Sequence, residues 1–308
     1  MHITVLTPCC NERGNVGFLH ERIGAVMGSL PDCRYEHLFI DNASTDGTVE
    51  VLRAIAAGDP RVRVILNNRN FGHVRSPYHG LMQAAGEAVI VVAADLQDPP
   101  ELIPEFIRLW RGGSEVVLGQ KENSAEPPAF FAVRRAYYRL VKRLAEVDLI
   151  EGVTGFGLYS RKVIEDLRAL DEPYPYVRGL VSELGCAIAR VPYSQPRRRS
   201  GSSKNNLYTL YDVAMLGITS HSKVPLRLAT MLGFAASSIS FALGLVYLVY
   251  KLVFWQRFAV GVAPVAIGLF FFASVQLFFI GIVGEYIGAI HTRVSRRPLV
   301  VERERINF

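Results

Sequence analysis

The sequence predicts an α/β domain on a mostly parallel, doubly wound sheet, followed by a membrane hairpin of two helices. Three observations predict it. Across residues 1–120, short apolar runs alternate with segments of helical period, the pattern of a sheet covered on both faces. Each run ends in acids, amides or glycine, where ligands of such sheets bind. Two later stretches, 228–250 and 258–284, contain no Asp, Glu, Lys or Arg, and each exceeds the roughly 18 residues that mark a bilayer-crossing helix.

The strand-like runs are ITVLTP, HLFIDN, VRVIL, AVIVVA and EVVLG, with helical segments near 16–29, 47–57, 76–86 and 101–111. The residues that follow the first four read PCCNE, DNASTDGT, NNRNFGH and ADLQDPPE. No GxGxxG follows the first run and no GxxxxGK[ST] occurs, which excludes a dinucleotide fingerprint and a P-loop. There is no His/Cys cluster for zinc and no GxSxG elbow. Asp98, ahead of Pro99 and Pro100, reads as the start of the next helix, and Asp46 as a turn and cap residue.

The charge is divided. Residues 197–308 carry 13 Lys+Arg against 4 Asp+Glu, whereas residues 1–196 carry 21 against 24. A nucleic-acid binder would place its basic excess on the folded domain, so no nucleic-acid partner is expected. Mean hydropathy is +0.21, in keeping with a membrane part. Cations precede the first apolar stretch (Arg197, Arg198, Arg199, Lys204, Lys223, Arg227) and follow the second (Arg293, Arg296, Arg297, Arg303, Arg305), with only Lys251 and Arg257 between. The positive-inside rule then places both termini in the cytoplasm. Residues 205–224 have the spacing of an interfacial helix. Residues 130–147 carry five cations among aromatics, either a surface for anionic groups or an ordinary amphipathic helix. The expected division is 1–204 soluble domain, 205–224 interfacial helix, 225–292 hairpin and 293–308 cytoplasmic tail. Cys9, Cys10, Cys33 and Cys186 lack CxxC spacing and are expected as free thiols.

The ordered set TPCCNE, IDNASTDGT, NFGH, AADLQDPPE, RRRSGSSKNN and GEYIG resembles family-2 glycosyltransferases of the GT-A fold, closest to the membrane polyprenyl-phosphate glycosyltransferases that include dolichol-phosphate mannose synthase. The resemblance covers essentially the whole chain. It implies inverting transfer of one sugar from a nucleotide sugar, a UDP-sugar, to undecaprenyl or another polyprenyl phosphate. The setting it implies is the cytoplasmic face of a bacterial plasma membrane, in a homo-oligomer that the family makes a tetramer. Pro8, Asn11, Glu12, Asp41 and Gly72 are then expected at the nucleotide, with Asp41 accepting a hydrogen bond from a pyrimidine N–H. Asp95 and Gln97 are expected to hold Mg²⁺ or Mn²⁺. Arg198 and Lys204 are expected to act on the diphosphate with Asp95, and Arg178, Arg199 and Arg135 on the acceptor phosphate.

The chain departs from the family at Ala93, where an acid usually opens the Asp-x-Asp-x-Gln pattern. Two other readings stay open at this point. One is a processive polysaccharide synthase, which typically has a Gln-x-x-Arg-Trp motif that this chain lacks. The other is a non-catalytic sensor or scaffold for nucleotide sugars, with Ala93 as a sign of a decayed site.

Overall fold

The computed structural model describes residues 1–123, 153–172, 175–195, 224–254, 262–294 and 298–308. Among these, eight strands form one sheet in the order β7-β5-β6-β4-β1-β2-β3-β8. They are β1 His2–Cys9, β2 Arg34–Asp41, β3 Val62–Asn67, β4 Ala88–Val91, β5 Val116–Asn123, β6 Val153–Ser160, β7 Ile188–Ser194 and β8 Glu302–Ile306. β1 is central and pairs in parallel with β2 and β4. β6 and β8 are antiparallel to their neighbours, and β5 and β7 run parallel to each other. Six strands therefore end at one edge of the sheet: the five that the apolar runs predict, and β7.

The period of two along each strand divides the core into two layers. Ile3 and Val5 of β1 pack with Phe39, Val64 and Ile90 under helices α1 (Val16–Gly28), α2 (Thr48–Gly58) and α4 (Ile103–Arg111). Leu6 faces the other way, with Leu38, Ile65 and Val89 under α3 (Gly72–Gln83), α5 (Arg161–Leu170) and α6 (Val177–Glu183). Helices on both faces are what buried apolar strands require. The Ser160 side chain caps α5 by accepting the Val163 N–H.

A polar pair is sealed into the first layer. Thr7 Oγ1 donates to His37 Nε2 at 2.9 Å, and the Nδ1 atoms of His37 and His20 lie 3.1 Å apart. Each bond has a donor if both rings are neutral, with His37 Nδ1–H donating to His20 and the His20 Nε2–H turned toward Asp59 at 3.7 Å. Burial holds both histidines below their ordinary pKa, His37 strongly. Nearby His20 lowers His37 further, Asp59 and Glu21 oppose the shift on His20, and Arg61 adds to it. A depressed basic pKa means that the unfolded chain takes up protons first, so stability falls as pH drops below about 6.5, by up to about 1.4 kcal/mol per unit for each ring. Melting of the detergent-purified protein between pH 7.5 and 5 should show this slope, and His37→Phe should flatten it; an equal slope in both proteins would refute the assignment.

Two long helices follow the domain, α7 (Val224–Val253) and α8 (Val262–Val294). Leu226–Val246 and Phe271–Gly288 are long and apolar enough to cross a bilayer, and almost none of their surface is buried by protein. Met231, Phe234, Phe241, Leu269, Leu277 and Phe278 are all open. Apolar side chains in such number need a nonaqueous surrounding, so the chain is membrane-associated. At 33 residues, α8 is about 50 Å long and outruns the hydrocarbon core.

The segment expected as a cytoplasmic tail carries regular structure. Residues 293 and 294 continue α8, and residues 302–306 are strand β8, paired antiparallel with β3 through Val64↔Ile306 and Leu66↔Glu304. The chain leaves the domain, passes through the hairpin and returns to complete the sheet. The expected helix at 130–147, and all but the last residue of that at 205–224, lie outside the described residues; Val224 opens α7.

Candidate active site

The carboxyl ends of β1 and β2 are locked together. Asn11, in a left-handed conformation (φ 59°), donates its N–H to Ser44 Oγ at 2.7 Å and accepts the Thr45 N–H on Oδ1 at 2.7 Å. Glu12 N–H donates to Thr48 Oγ1 at 2.9 Å, and Glu12 Oε2 accepts from Asn15. Asp41 is fully buried, and its carboxylate accepts the Ser44 N–H and hydroxyl. Asp46 accepts from Thr48 and the Arg13 N–H; burial raises its pKa, but these bonds outweigh that and lower it. Asp46 is thus a turn residue as expected, whereas the cap position of α2 is Gly47, without a side-chain bond. Pro8 sits half-exposed one residue before the end of β1.

Amides wind the loop after β3. Asn42 accepts the Phe71 N–H, donates to Asn70 Oδ1 at 2.9 Å and to the Gly72 carbonyl at 3.1 Å, and meets Asn67 Nδ2. Gly72 has φ 87°, which glycine adopts without strain, and it opens α3 four residues ahead of the sequence expectation. The turn delivers Gly72 to the same edge as Asn11 and Asp41.

Past β4 the chain turns through 94–96, with burial alternating along it. Val92, Ala94, Leu96, Asp98 and Pro100 point inward, while Ala93, Asp95 and Gln97 are half-exposed on the open side. Asp95 and Gln97 thus share this open side, with the alanine beside them. Asp95 Oδ1 accepts the Gln97 N–H at 3.2 Å across Leu96, which is left-handed at φ 59°.

Asp98 does not cap the next helix. The cap position of the 3₁₀ turn Pro100–Leu102 is Pro99, without a side-chain bond. Asp98 instead accepts the Ala93 N–H at 3.3 Å and the Tyr193 hydroxyl at 3.1 Å from β7. Burial, then the charge of Asp95, pushes its carboxyl up to about 6; the two hydrogen bonds and Lys121 act the other way.

Other cations reach this edge. Lys121 on β5 donates to Gln195 Oε1 at 2.6 Å, and its charge is felt at Asp98. The sequence reading missed it, although it directly follows EVVLGQ and so stands at a strand end. Arg178 on α6 donates to the Val153 carbonyl at 2.6 Å and lies 5.2 Å over Tyr176. Because β6 runs antiparallel, Val153 at its start belongs to the ligand edge. Arg135, Arg198, Arg199 and Lys204 lie outside the described residues.

The donor set fits a hard divalent cation in one mode. No three His, Cys, Asp or Glu gather into a metal cluster among the described residues. Asp98 spends its oxygens within the protein. Asp95 on the open side, with Gln97 beside it, is the loop acid that would meet such a cation. Most remaining ligands would be diphosphate oxygens and water, a common arrangement for Mg²⁺.

Residues 4–168 match the family model described as Glycosyl transferase family 2, and residues 224–290 match the GtrB C-terminal hairpin. The chain is 35% identical to the uncharacterized glycosyltransferase YkcC of Bacillus subtilis over 97% of this chain and 92% of that one. It is 33% identical to the SfII prophage-derived bactoprenol glucosyl transferase of Shigella flexneri over 97% and 96%. It is 32% identical to the bactoprenol glucosyl transferase of Shigella phage SfX over 99% and 100%. With a sheet edge lined by acids and amides, an apolar hairpin in its expected place and relatives that match from end to end, the chain belongs to glycosyl transferase family 2, in the branch that carries the GtrB C-terminal hairpin.

Proposed function

We propose that this glycosyltransferase moves a single sugar from a UDP-sugar to a polyprenyl phosphate such as undecaprenyl phosphate, inverting the anomeric carbon. The observation that carries the reading is the union on one chain of a strand-end Asp95 site and an apolar hairpin of the GtrB type. Full-length likeness to bactoprenol glucosyl transferases supports the lipid acceptor. In the proposed step an acceptor phosphate oxygen forms a bond to the anomeric carbon. The bond from that carbon to the donor diphosphate breaks, and its electron pair leaves with the nucleoside diphosphate. The nucleophile is already ionised near neutral pH, so the site needs positioning and charge neutralisation rather than a general base.

A bound divalent cation supplies Lewis-acid neutralisation of the departing diphosphate. Asp95 and Gln97 hold the edge where that diphosphate lies. Pro8, Asn11, Glu12 and Gly72 wall the nucleoside, and Asp41, fully buried with both oxygens on Ser44, accepts a base N–H once Ser44 gives way. Arg198 and Lys204 clamp the diphosphate, while Arg178, Arg199 and Arg135 take the acceptor phosphate; Lys121 adds a cation fixed on a strand. Both termini and the domain face the cytoplasm, by the excess of cations flanking the hairpin. The protein works as a homo-oligomer, a tetramer by family resemblance.

The test is a donor screen. Protein in nanodiscs receives undecaprenyl phosphate, Mg²⁺ or Mn²⁺, and UDP-, GDP- or TDP-sugars singly, with free nucleotide and lipid-linked sugar both measured. One donor should give lipid product in a metal-dependent way. Nucleotide binding without lipid product from any donor would overturn the acceptor reading and favour a sensor.

A further inference from the structure

Asp98 is a buried acid that the proposed step does not use. It is 6% exposed and sits under an open edge already occupied by a second acid. Its two bonds join parts of the chain that are far apart. One goes to the backbone of Ala93, five residues back, and the other to Tyr193, 95 residues on. Between them lies the turn that carries Asp95, with left-handed Leu96 at its apex. A non-glycine residue in that conformation persists only where its surroundings enforce it.

The Tyr193 side of the clasp is rigid. The phenol ring meets Phe156 edge-on at 5.5 Å, and Phe156 packs on fully buried Phe106 of α4 at 4.9 Å. The neighbour on β5 is Gly119, where a Cβ would fall 2.6 Å from Phe156 and 3.1 Å from Tyr193. The stack therefore occupies space that any side chain on β5 would take, and it fixes the hydroxyl against Asp98. On the other side, residue 93 has no side chain to reach a neighbour, and its N–H is held by Asp98.

We propose that Asp98 is a positioning residue for transfer. By bridging the Ala93 N–H and the Tyr193 hydroxyl it holds the left-handed turn that aims the Asp95 carboxylate at the donor diphosphate. The inference rests on the proposed placement of the donor at Asp95. It extends that reading by naming what keeps the aspartate in register in a loop that begins with alanine. Keeping an acid here is costly, because a buried carboxylate beside a like charge is disfavoured. Its return is two acceptor bonds of fixed direction.

The experiment separates aim from fold. Affinities for UDP with and without Mn²⁺, and for uridine, are measured by calorimetry on full-length protein in detergent, beside kcat and KM for transfer. In Asp98→Ala the gain in UDP affinity from Mn²⁺ should shrink at least fivefold and kcat should fall at least tenfold, with uridine affinity within twofold of the parent. Asp98→Asn should recover most of the gain, since its oxygen accepts the Ala93 N–H and its amide donates to Tyr193. If Asp98→Ala does not fold, Tyr193→Phe removes one bond and should shift the same ratio in the same direction by a smaller factor. An unchanged Mn²⁺ gain in these variants overturns the inference, as does a parallel loss of uridine affinity, which marks general unfolding of the edge. Equal losses in Asp98→Asn and Asp98→Ala would mean that the charge acts directly, and positioning would fail. Parent protein that transfers sugar without any Mn²⁺ gain sinks this inference and leaves the proposed function standing. Parent protein that shows the gain without lipid product does the reverse.

Discussion

Asp95→Asn should lower kcat for sugar transfer by about 10²–10³-fold or more, with the fold intact. The substitution is nearly isosteric. Asparagine keeps an oxygen that can accept the Gln97 N–H, so the turn across Leu96 survives. What is lost is one negative charge on the open side of the loop, where the alternation of burial also places Ala93 and Gln97. In a site with a second acid at residue 93, a neighbour could carry part of the load. Here residue 93 has only a methyl group, and Asp98 is committed to Ala93 and Tyr193. The loss should therefore be larger than for a carboxylate that shares its work. It should fall on kcat and on UDP affinity with Mn²⁺, and leave uridine affinity and the melting temperature close to the parent. Turnover within tenfold of the parent would remove Asp95 from the diphosphate end of the site.

Legibility in the sequence followed the range of the interactions involved. The central strands were readable because each is an uninterrupted apolar run, and the residues of β1, β2 and β4 are buried as such runs demand. The hairpin was readable for the same reason, with 228–250 falling inside α7 and 262–284 of the second charge-free stretch inside α8. Three other strands were not. β6 contains Gly155 and Gly157, β7 contains Pro192, and β8 reads ERERI. Each looks like a turn or a solvated tail until a partner strand is supplied. The start of α3 was placed too late because it depends on Asn42, thirty residues before Gly72.

The site divides the same way. That Asp95, Gln97, Asn11 and Gly72 lie just past strand ends was visible in the sequence, because the apolar runs before them are. Asp98 was misread because the local pattern, an acid before two prolines, is that of a helix start. Its actual bond to Tyr193 spans 95 positions and leaves no local trace. Lys121 was a strand-end cation beyond a run that had been recognised, and only its approach to Asp98 made it stand out.

Deleting residues 302–308 should destabilise the protein by about 3–6 kcal/mol and lower its melting temperature by roughly 10 °C. The largest part comes from the ladder with β3 and the packing of Ile306 on the first core layer. Each lost ladder bond is worth about 0.5–1.5 kcal/mol, and the β3 groups would be left at a new edge. Asn307 Nδ2 also donates to the carbonyls of Ala56 and Val62, closing the end of α2 against the start of β3. The ion pairs rank lower. Arg53–Glu304 is a two-bond pair but solvent-exposed, so it adds little. His79–Glu302 is more enclosed, with Arg305 on the same carboxylate, so Glu302→Gln alone should cost only about 1 kcal/mol. That ordering is the useful part of the prediction. A tail held by surface charge would lose as much from the single substitution at low salt as from the deletion, and high salt would erase both losses. A strand of the sheet loses far more from the deletion, at any ionic strength. Since β8 follows α8 closely, the same strand ties the second membrane helix to the catalytic domain. The deletion should then also speed proteolysis between 294 and the truncated end, whereas melting within 2 °C of the parent would reduce β8 to a bystander.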